Sequence, residues 1–131
     1  MAVIISIDAG TTGVRTFALN ENGIQVGLAY KEFTQHYPFP GWVEHDPTEI
    51  WVAVQDTIKE LAKTLSEPIA CIGIANQRET AVAWSRASGL PLAPAIVWQD
   101  RRTTKRCIEP PANTCGNHFI PNCKTISGSS G

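Results

Sequence analysis

The 131-residue sequence predicts an α/β fold with a mixed β-sheet. Three observations support this class. The first thirty residues hold three β-prone runs separated by turn signals, which is typical of an antiparallel meander. An amphipathic helix with a strong start signal follows the meander. A run that is apolar on both faces comes next, which suits a strand paired in parallel after a helical crossover. Together they indicate helices layered on a sheet.

The meander is defined by two turns. Val3–Ile7 leads into a turn at Asp8–Gly13, and Val14–Leu19 leaves it as the second strand. A second turn at 20–23 ends in Asn-Gly, the strongest short hairpin signal, and joins a third strand at about 24–31. The first two strands therefore form a hairpin with an exposed tip.

The residue types at that first tip suit phosphate. Gly10 and Gly13 let the backbone turn tightly and approach a ligand closely. Thr11 and Thr12 offer hydroxyls and exposed N–H groups to phosphate oxygens. Asp8 ends a buried strand and could hold a metal ion or a water beside those phosphates. An ordinary hairpin turn has the same composition, so this interpretation stays open on the turn alone.

A helix is predicted from Asp46 to about Leu65. Asp46 is a good N-cap, Pro47 fits the first helical position, and Glu49 is placed to complete a capping box. Apolar residues recur at helical spacing and predict the buried face: Ile50, Val54, Ile58, Leu61 and Leu65.

The run Ile69–Ala75 predicts a central strand covered on both sides, with Cys71 as a small core residue. The remaining predicted elements are strands at 81–84 and 95–98, a turn at 86–89 and a helix beginning at 103–107.

Two polar clusters follow predicted strands. The run 76–80 stands at the carboxyl end of the buried strand, where open α/β sheets bind ligands. Arg78 and Glu79 could hold a small polyol by charge-assisted hydrogen bonds. Trp98, at the end of a later strand, could form an apolar wall. The alternative for both is structural: a solvated loop with a surface ion pair, and a core Trp beside an exposed charge run at 99–102.

Composition excludes several classes. The chain is 43% hydrophobic with a formal net charge of −1, which gives no argument for nucleic acid or an anionic membrane. No apolar run is long enough to span a bilayer, and the start lacks a basic n-region and a cleavage site. We therefore expect a cytoplasmic location with reduced cysteines.

Several motifs carry a family resemblance. The turn at 8–13, with the runs Pro40–Pro47, Asn76–Thr80 and Ala95–Arg102, resembles the FGGY carbohydrate kinases, and the last three resemble the glycerol-phosphorylating branch. The likeness covers about residues 3–107. It implies a ribonuclease-H-like (actin-like ATPase) domain, truncated relative to the family.

The resemblance also implies a reaction, the transfer of the ATP γ-phosphoryl group to glycerol with Mg²⁺. The implied nucleotide-phosphate positions are Asp8, Thr11, Thr12, Gly13 and Arg15. Of these, Asp8 falls on the metal side. The implied glycerol-binding residues are Arg78, Glu79 and Trp98.

The family's catalytic Asp has no counterpart here, so we expect residues 1–107 to be part of an N-terminal domain, 108–131 to be an irregular tail, and the chain alone to be inactive. Full-length family members are expected to be homo-oligomers. Two alternatives stay open: a non-catalytic isoform or binding module, and a kinase of another sugar or polyol.

Overall fold

The structure is a computed structural model that describes residues 2–108. The predicted tail at 108–131 lies almost entirely outside these residues, so its boundary stays a prediction. In chain order the elements are β1 (Val3–Ala9), β2 (Gly13–Leu19), β3 (Gln25–Glu32), β4 (Gln35–His36), β5 (Glu44–His45), α1 (Pro47–Thr64), β6 (Ile69–Asn76), β7 (Ala95–Ile96) and α2 (Thr104–Ile108).

The larger sheet has the strand order β3-β2-β1-β6. β1 pairs with β2 and β2 with β3 in antiparallel fashion, which confirms the predicted meander. β6 pairs with β1 in parallel, with Ile7 opposite Ile74 and Ala9 opposite Asn76. Because parallel strands end at the same edge, the first turn and the polar run after β6 start side by side.

One face of this sheet is covered by α1. The core beneath the helix contains Val3, Ile5 and Val14 from the sheet, with Ala53 and Leu61 from the helix. These apolar side chains alternate with outward-facing ones along β1, as a half-covered strand requires. The buried hydroxyls of Thr16 and Thr57 lie 2.8 Å apart and bond across the same interface.

The start of α1 is partly as predicted. Asp46 is the N-cap, and its carboxylate accepts from Thr48 N at 2.7 Å. Glu49 does not complete a capping box, because its carboxylate accepts from Thr34 N at 2.9 Å. The carboxylate thereby ties the segment after β3 to the helix instead of closing the helix end on itself.

The prediction of a buried central strand at 69–75 is wrong for the described residues. β6 lies at the edge of the sheet and is exposed along its whole length, including Cys71. The reason is coverage: α1 packs over β1, β2 and β3, and β6 lies beyond its reach. Ile72 and Ile74 are therefore 51% and 74% exposed.

The second sheet is small, with the order β4-β5-β7. The strand predicted at 81–84 is reduced to two isolated bridges, Ala81 to Ile96 and Trp84 to Pro91. The turn predicted at 86–89 is present, with Gly89 N donating to Ser85 O at 2.8 Å. No helix within residues 2–108 combines the length and apolar character that a bilayer crossing requires.

Candidate functional site

A cleft of about 490 Å³ opens at the carboxyl edge of β1 and β6. Its lining comes from three separate segments: Thr11, Asn76, Gln77, Arg78, Glu79 and Trp98. Four of the predicted site residues therefore share one cavity. The indole Nε1–H of Trp98 donates to Thr11 Oγ1 at 3.0 Å across 87 positions of the chain. The first turn and the strand-end clusters thus meet at this edge.

The turn that supplies Thr11 is tight. Gly10 N donates to Gly13 O at 3.0 Å, and Phe33 N donates to Thr12 O at 3.4 Å. Gly13 is fully packed, because a Cβ there would lie 2.6 Å from the backbone oxygen of Lys31. The glycine is thus required for the close approach of β2 to β3.

Replacing Gly13 with alanine is therefore expected to lower the free energy of unfolding by about 1–3 kcal/mol, because the backbone of β3 must move to admit a methyl group. The control is Gly73→Ala, since Gly73 lies in a strand with open space around its Cα. Urea denaturation followed by circular dichroism measures both. Equal stability of the two variants would contradict the packing argument.

Asp8 and Arg15 lie outside the lining of the cleft, on the flanking strands. They are paired across β1 and β2 and are both exposed on the sheet face away from α1. The Arg15 guanidinium lies 5.8 Å from the ring centre of Tyr30. Among residues 2–108 no group of three or more His, Cys, Asp and Glu could hold a metal ion. Asp8 alone still fits Mg²⁺, because this ion is commonly bound by one or two carboxylates while substrate phosphates and waters complete its coordination shell.

Glu79 has an unusual backbone. Its φ is +64°, the only positive φ of a non-glycine residue within the described part of the chain. A side chain in this left-handed region costs about 1–2 kcal/mol relative to right-handed backbone. The strained residue is part of the lining of the cleft, next to Arg78. Strain of this kind persists where surrounding structure imposes it, and it clusters at ligand sites.

Sequence reasoning missed an ion cluster next to the site. Asp100 and Arg102 belong to the run 99–102, for which an exposed charged segment was one of the interpretations. Their side chains are only 3% and 17% exposed. The Arg102 guanidinium donates to Asp100 at 2.8 and 2.9 Å and to Glu44 at 2.7 Å. It also stacks 3.7 Å from the ring centre of Trp42.

The cluster has a clear electrostatic signature. Hydrogen bonds from Arg102, and from the backbone N–H of Val43 and Arg102, lower the pKa of Asp100 to about 2. The pKa of Arg102 is raised by its hydrogen bonds to Asp100 and, to a lesser extent, to Glu44. Asp100 therefore joins the segment before α1 to the segment after Trp98. The sequence offered one hint of this contact: Val43 and Asp100 lie in two of the family motifs, Pro40–Pro47 and Ala95–Arg102.

His45 is a second residue that sequence reasoning passed over. It is fully buried, and its Nε2 has no hydrogen-bond partner among the described residues. Burial lowers its pKa, the nearby His36 lowers it further, and Glu49 opposes the shift. The ring is therefore neutral around pH 7. Its Nδ1 lies 3.3 Å from Nε2 of the cleft residue Gln77.

Comparison with known proteins places this geometry among sugar kinases. The model of the FGGY family of carbohydrate kinases, N-terminal domain, matches residues 3–125. A glycerol kinase of Leptospira biflexa is 49% identical over 119 residues, covering 88% of this chain and 24% of the relative. One of Parabacteroides distasonis is 51% identical over 109 residues, covering 81% and 22%. The chain thus spans about a quarter of the length of these curated relatives.

Solved structures agree in fold. A Plasmodium falciparum glycerol kinase with ADP matches with a TM-score of 0.76 and 39% identity, covering 82% of this chain and 22% of that one. A ligand-bound xylulose kinase of Lactobacillus acidophilus also gives 0.76, at 26% identity, covering 81% and 21%. The predicted fold class, an actin-like ATPase domain with a mixed sheet, is confirmed.

Proposed function

Because the chain belongs to the FGGY family of carbohydrate kinases, we propose that it forms the glycerol-binding and phosphate-binding part of a glycerol kinase. Such an enzyme transfers the γ-phosphoryl group of ATP to a terminal hydroxyl of glycerol. One observation carries the proposal: Thr11 of the phosphate-type turn shares a single cleft with Arg78, Glu79 and Trp98. Phosphoryl transfer depends mostly on positioning and charge stabilisation, and this cleft has groups for both.

The residues of the cleft have distinct proposed roles. The Arg78 guanidinium donates to glycerol hydroxyls and the Glu79 carboxylate accepts from them. The Trp98 ring, half exposed in the cleft, covers the carbon side of the ligand. Trp98 also bonds to Thr11, so the ligand wall and the turn are held at a fixed separation.

The hairpin turn has the proposed nucleotide role. The hydroxyls of Thr11 and Thr12 and the backbone N–H groups of this turn, including that of Gly13, bind the phosphates of ATP, and Arg15 adds positive charge. Asp8 would hold Mg²⁺, which would supply positive charge against the phosphate oxygens. The proposed partners are glycerol and ATP, with no nucleic acid or membrane partner. We also propose a cytoplasmic location and a homo-oligomeric full-length enzyme.

Kinases of larger substrates remain the second candidate, because a xylulose kinase and a gluconate kinase of Lactobacillus acidophilus share the fold at TM-scores of 0.76. The identity of the chain to these two is 26% and 27%, against 39% for the solved glycerol kinase. The glycerol assignment is favoured by that difference and by the curated relatives at 49–51%.

The test is a binding titration of the 131-residue chain labelled with ¹⁵N. Glycerol is expected to shift the Trp98 indole cross-peak saturably, and Mg-ADP to shift the Thr12 and Gly13 amides. Arg78→Met should weaken glycerol binding by at least about ten-fold, because a charged donor is lost. Arg86→Met is the matched control, since Arg86 lies in the exposed turn after Trp84.

Substrate choice is decided in the same titration. Xylulose and gluconate are expected to give no saturable shift of the Trp98 indole. A response to either of them with none to glycerol would overturn the glycerol assignment in favour of another sugar kinase. Loss of binding in Arg86→Met as large as in Arg78→Met would contradict the assigned role of Arg78.

A further inference from the structure

A continuous series of hydrogen bonds links the cleft residues Trp98 and Gln77 to the buried His45. The backbone N–H of Trp98 donates to Thr80 Oγ1 at 3.3 Å. Thr80 Oγ1 donates to Gln77 Oε1 at 3.1 Å. Nε2 of Gln77 lies 3.3 Å from Nδ1 of the buried His45. The series therefore connects Trp98, a proposed ligand wall, to the core of the small sheet.

In this series of hydrogen bonds the donor and the acceptor of each bond can be assigned. A backbone N–H can only donate, so Thr80 Oγ1 accepts from Trp98. The Thr80 hydroxyl in turn donates a hydrogen bond to Gln77 Oε1. The amide NH₂ of Gln77 then faces His45, so Nδ1 of His45 must accept. His45 is thereby the neutral tautomer with its proton on Nε2. Its burial independently favours the neutral ring.

Gln77 is also the junction of the two sheets. Its backbone N–H donates to Ala9 O at 3.0 Å, at the end of β1 just before the Thr11 turn. Its side chain reaches His45 on β5, which pairs with Ala95 of β7. Arg78 and Glu79 follow Gln77 directly in the chain. Whatever orients Gln77 therefore orients these two residues relative to both Thr11 and Trp98.

We propose that Gln77, oriented by His45 and Thr80, is the positioning residue of the cleft: it sets Arg78 and Glu79 against the Thr11–Trp98 wall. Gln77 is itself part of the cleft lining, and its positioning role is exerted through Arg78 and Glu79, which follow it in the sequence. The proposal deepens the glycerol-binding function and rests on it. It predicts that removing a hydrogen bond made by Thr80 weakens glycerol binding in the cleft.

The test compares Thr80→Val with Thr80→Ser in the 131-residue chain. Valine has nearly the shape of threonine but breaks the bonds to Trp98 and Gln77, whereas serine keeps the hydroxyl. Thr80→Val is expected to weaken glycerol binding about five- to ten-fold and to speed hydrogen exchange of the Trp98 backbone amide about ten-fold, because that amide loses its acceptor. Thr80→Ser should keep both quantities within about two-fold of the unchanged chain, because the hydroxyl remains. If Thr80 acted only by apolar packing, serine, which lacks the methyl group, would be the more damaging substitution.

Two further measurements keep the proposal decidable. Thr64→Val is the matched control, because within the described part of the chain the Thr64 hydroxyl bonds inside α1, to Leu61 O at 2.8 Å. Imidazole ¹⁵N shifts of His45 should show an unprotonated Nδ1 in the unchanged chain. Thr80→Val behaving like Thr64→Val in glycerol binding and in exchange of the Trp98 backbone amide would overturn the proposal, as would a proton on Nδ1 of His45.

Failure of the glycerol function is distinguishable from failure of this proposal. Absence of any glycerol response in the unchanged chain would count against the glycerol assignment. The exchange of the Trp98 backbone amide and the His45 tautomer are measured without ligand, and they would still support or overturn the positioning role of Gln77.

Discussion

Replacing Asp100 with alanine is expected to lower the free energy of unfolding by about 3–5 kcal/mol, which is a large part of the stability of a typical domain. The carboxylate is almost fully buried and accepts from the Arg102 guanidinium and from Val43 N. Its removal leaves the Arg102 guanidinium, which is mostly shielded from solvent, with Glu44 as its one carboxylate partner among residues 2–108. Urea denaturation followed by tryptophan fluorescence measures the loss.

The matched control is an exposed ion pair in the same molecule. Asp56 pairs with Lys31, and the two side chains are 42% and 45% exposed. Asp56→Ala should change stability far less than Asp100→Ala, because solvent screens the pair. Comparable losses in the two variants would show that the Asp100 cluster is not a buried interaction in solution.

Acid provides an independent check on the same cluster. The pKa of Asp100 is about 2 in the folded chain, below its ordinary value of 3.8. The folded state therefore binds the proton more weakly than the unfolded state. The stabilisation is present above pH 3.8 and is lost as the pH falls through about 2. The stability gap between the original chain and Asp100→Ala should narrow over that window.

Glu79→Gln is expected to weaken glycerol binding about 10- to 100-fold, because it replaces a charged acceptor with a neutral amide in the proposed site. The free energy of unfolding should stay nearly unchanged, since Glu79 is exposed and the substitution preserves its shape. Glu67→Gln is the control, because Glu67 is an exposed carboxylate after α1 whose side chain bonds to the adjacent Ser66.

A second variant separates strain from binding. Glu79→Gly should lose binding as Glu79→Gln does, yet gain about 0.5–1 kcal/mol of stability. Glycine adopts a φ of +64° without the clash that a Cβ meets there. Opposite changes in affinity and stability would mean that backbone strain is tolerated at this position for the sake of the carboxylate. A destabilised Glu79→Gly would contradict that interpretation.

Much of the fold could be predicted from the sequence because its signals are local. The hairpin turn at Asp8–Gly13 and the helix start at Asp46 depend on residues a few positions apart. The parallel pairing of β1 with β6 follows from an apolar run after a helix. That pairing also brings the predicted residues Thr11, Arg78 and Glu79 to one edge. The sequence by itself thus determined the meander, the crossover and the residue types at the cleft.

The tertiary structure alone decided what is buried and what touches what. Asp100 looked like part of an exposed charge run, and it is buried because Arg102 and the backbone of Val43 enclose it. Cys71 looked like a core residue, and it is exposed because α1 does not reach β6. Local patterns report which residues would favour burial. Burial itself depends on which distant segments of the chain meet. The hydrogen bond between Thr11 and Trp98, which are 87 positions apart in the sequence, exists only in the folded chain.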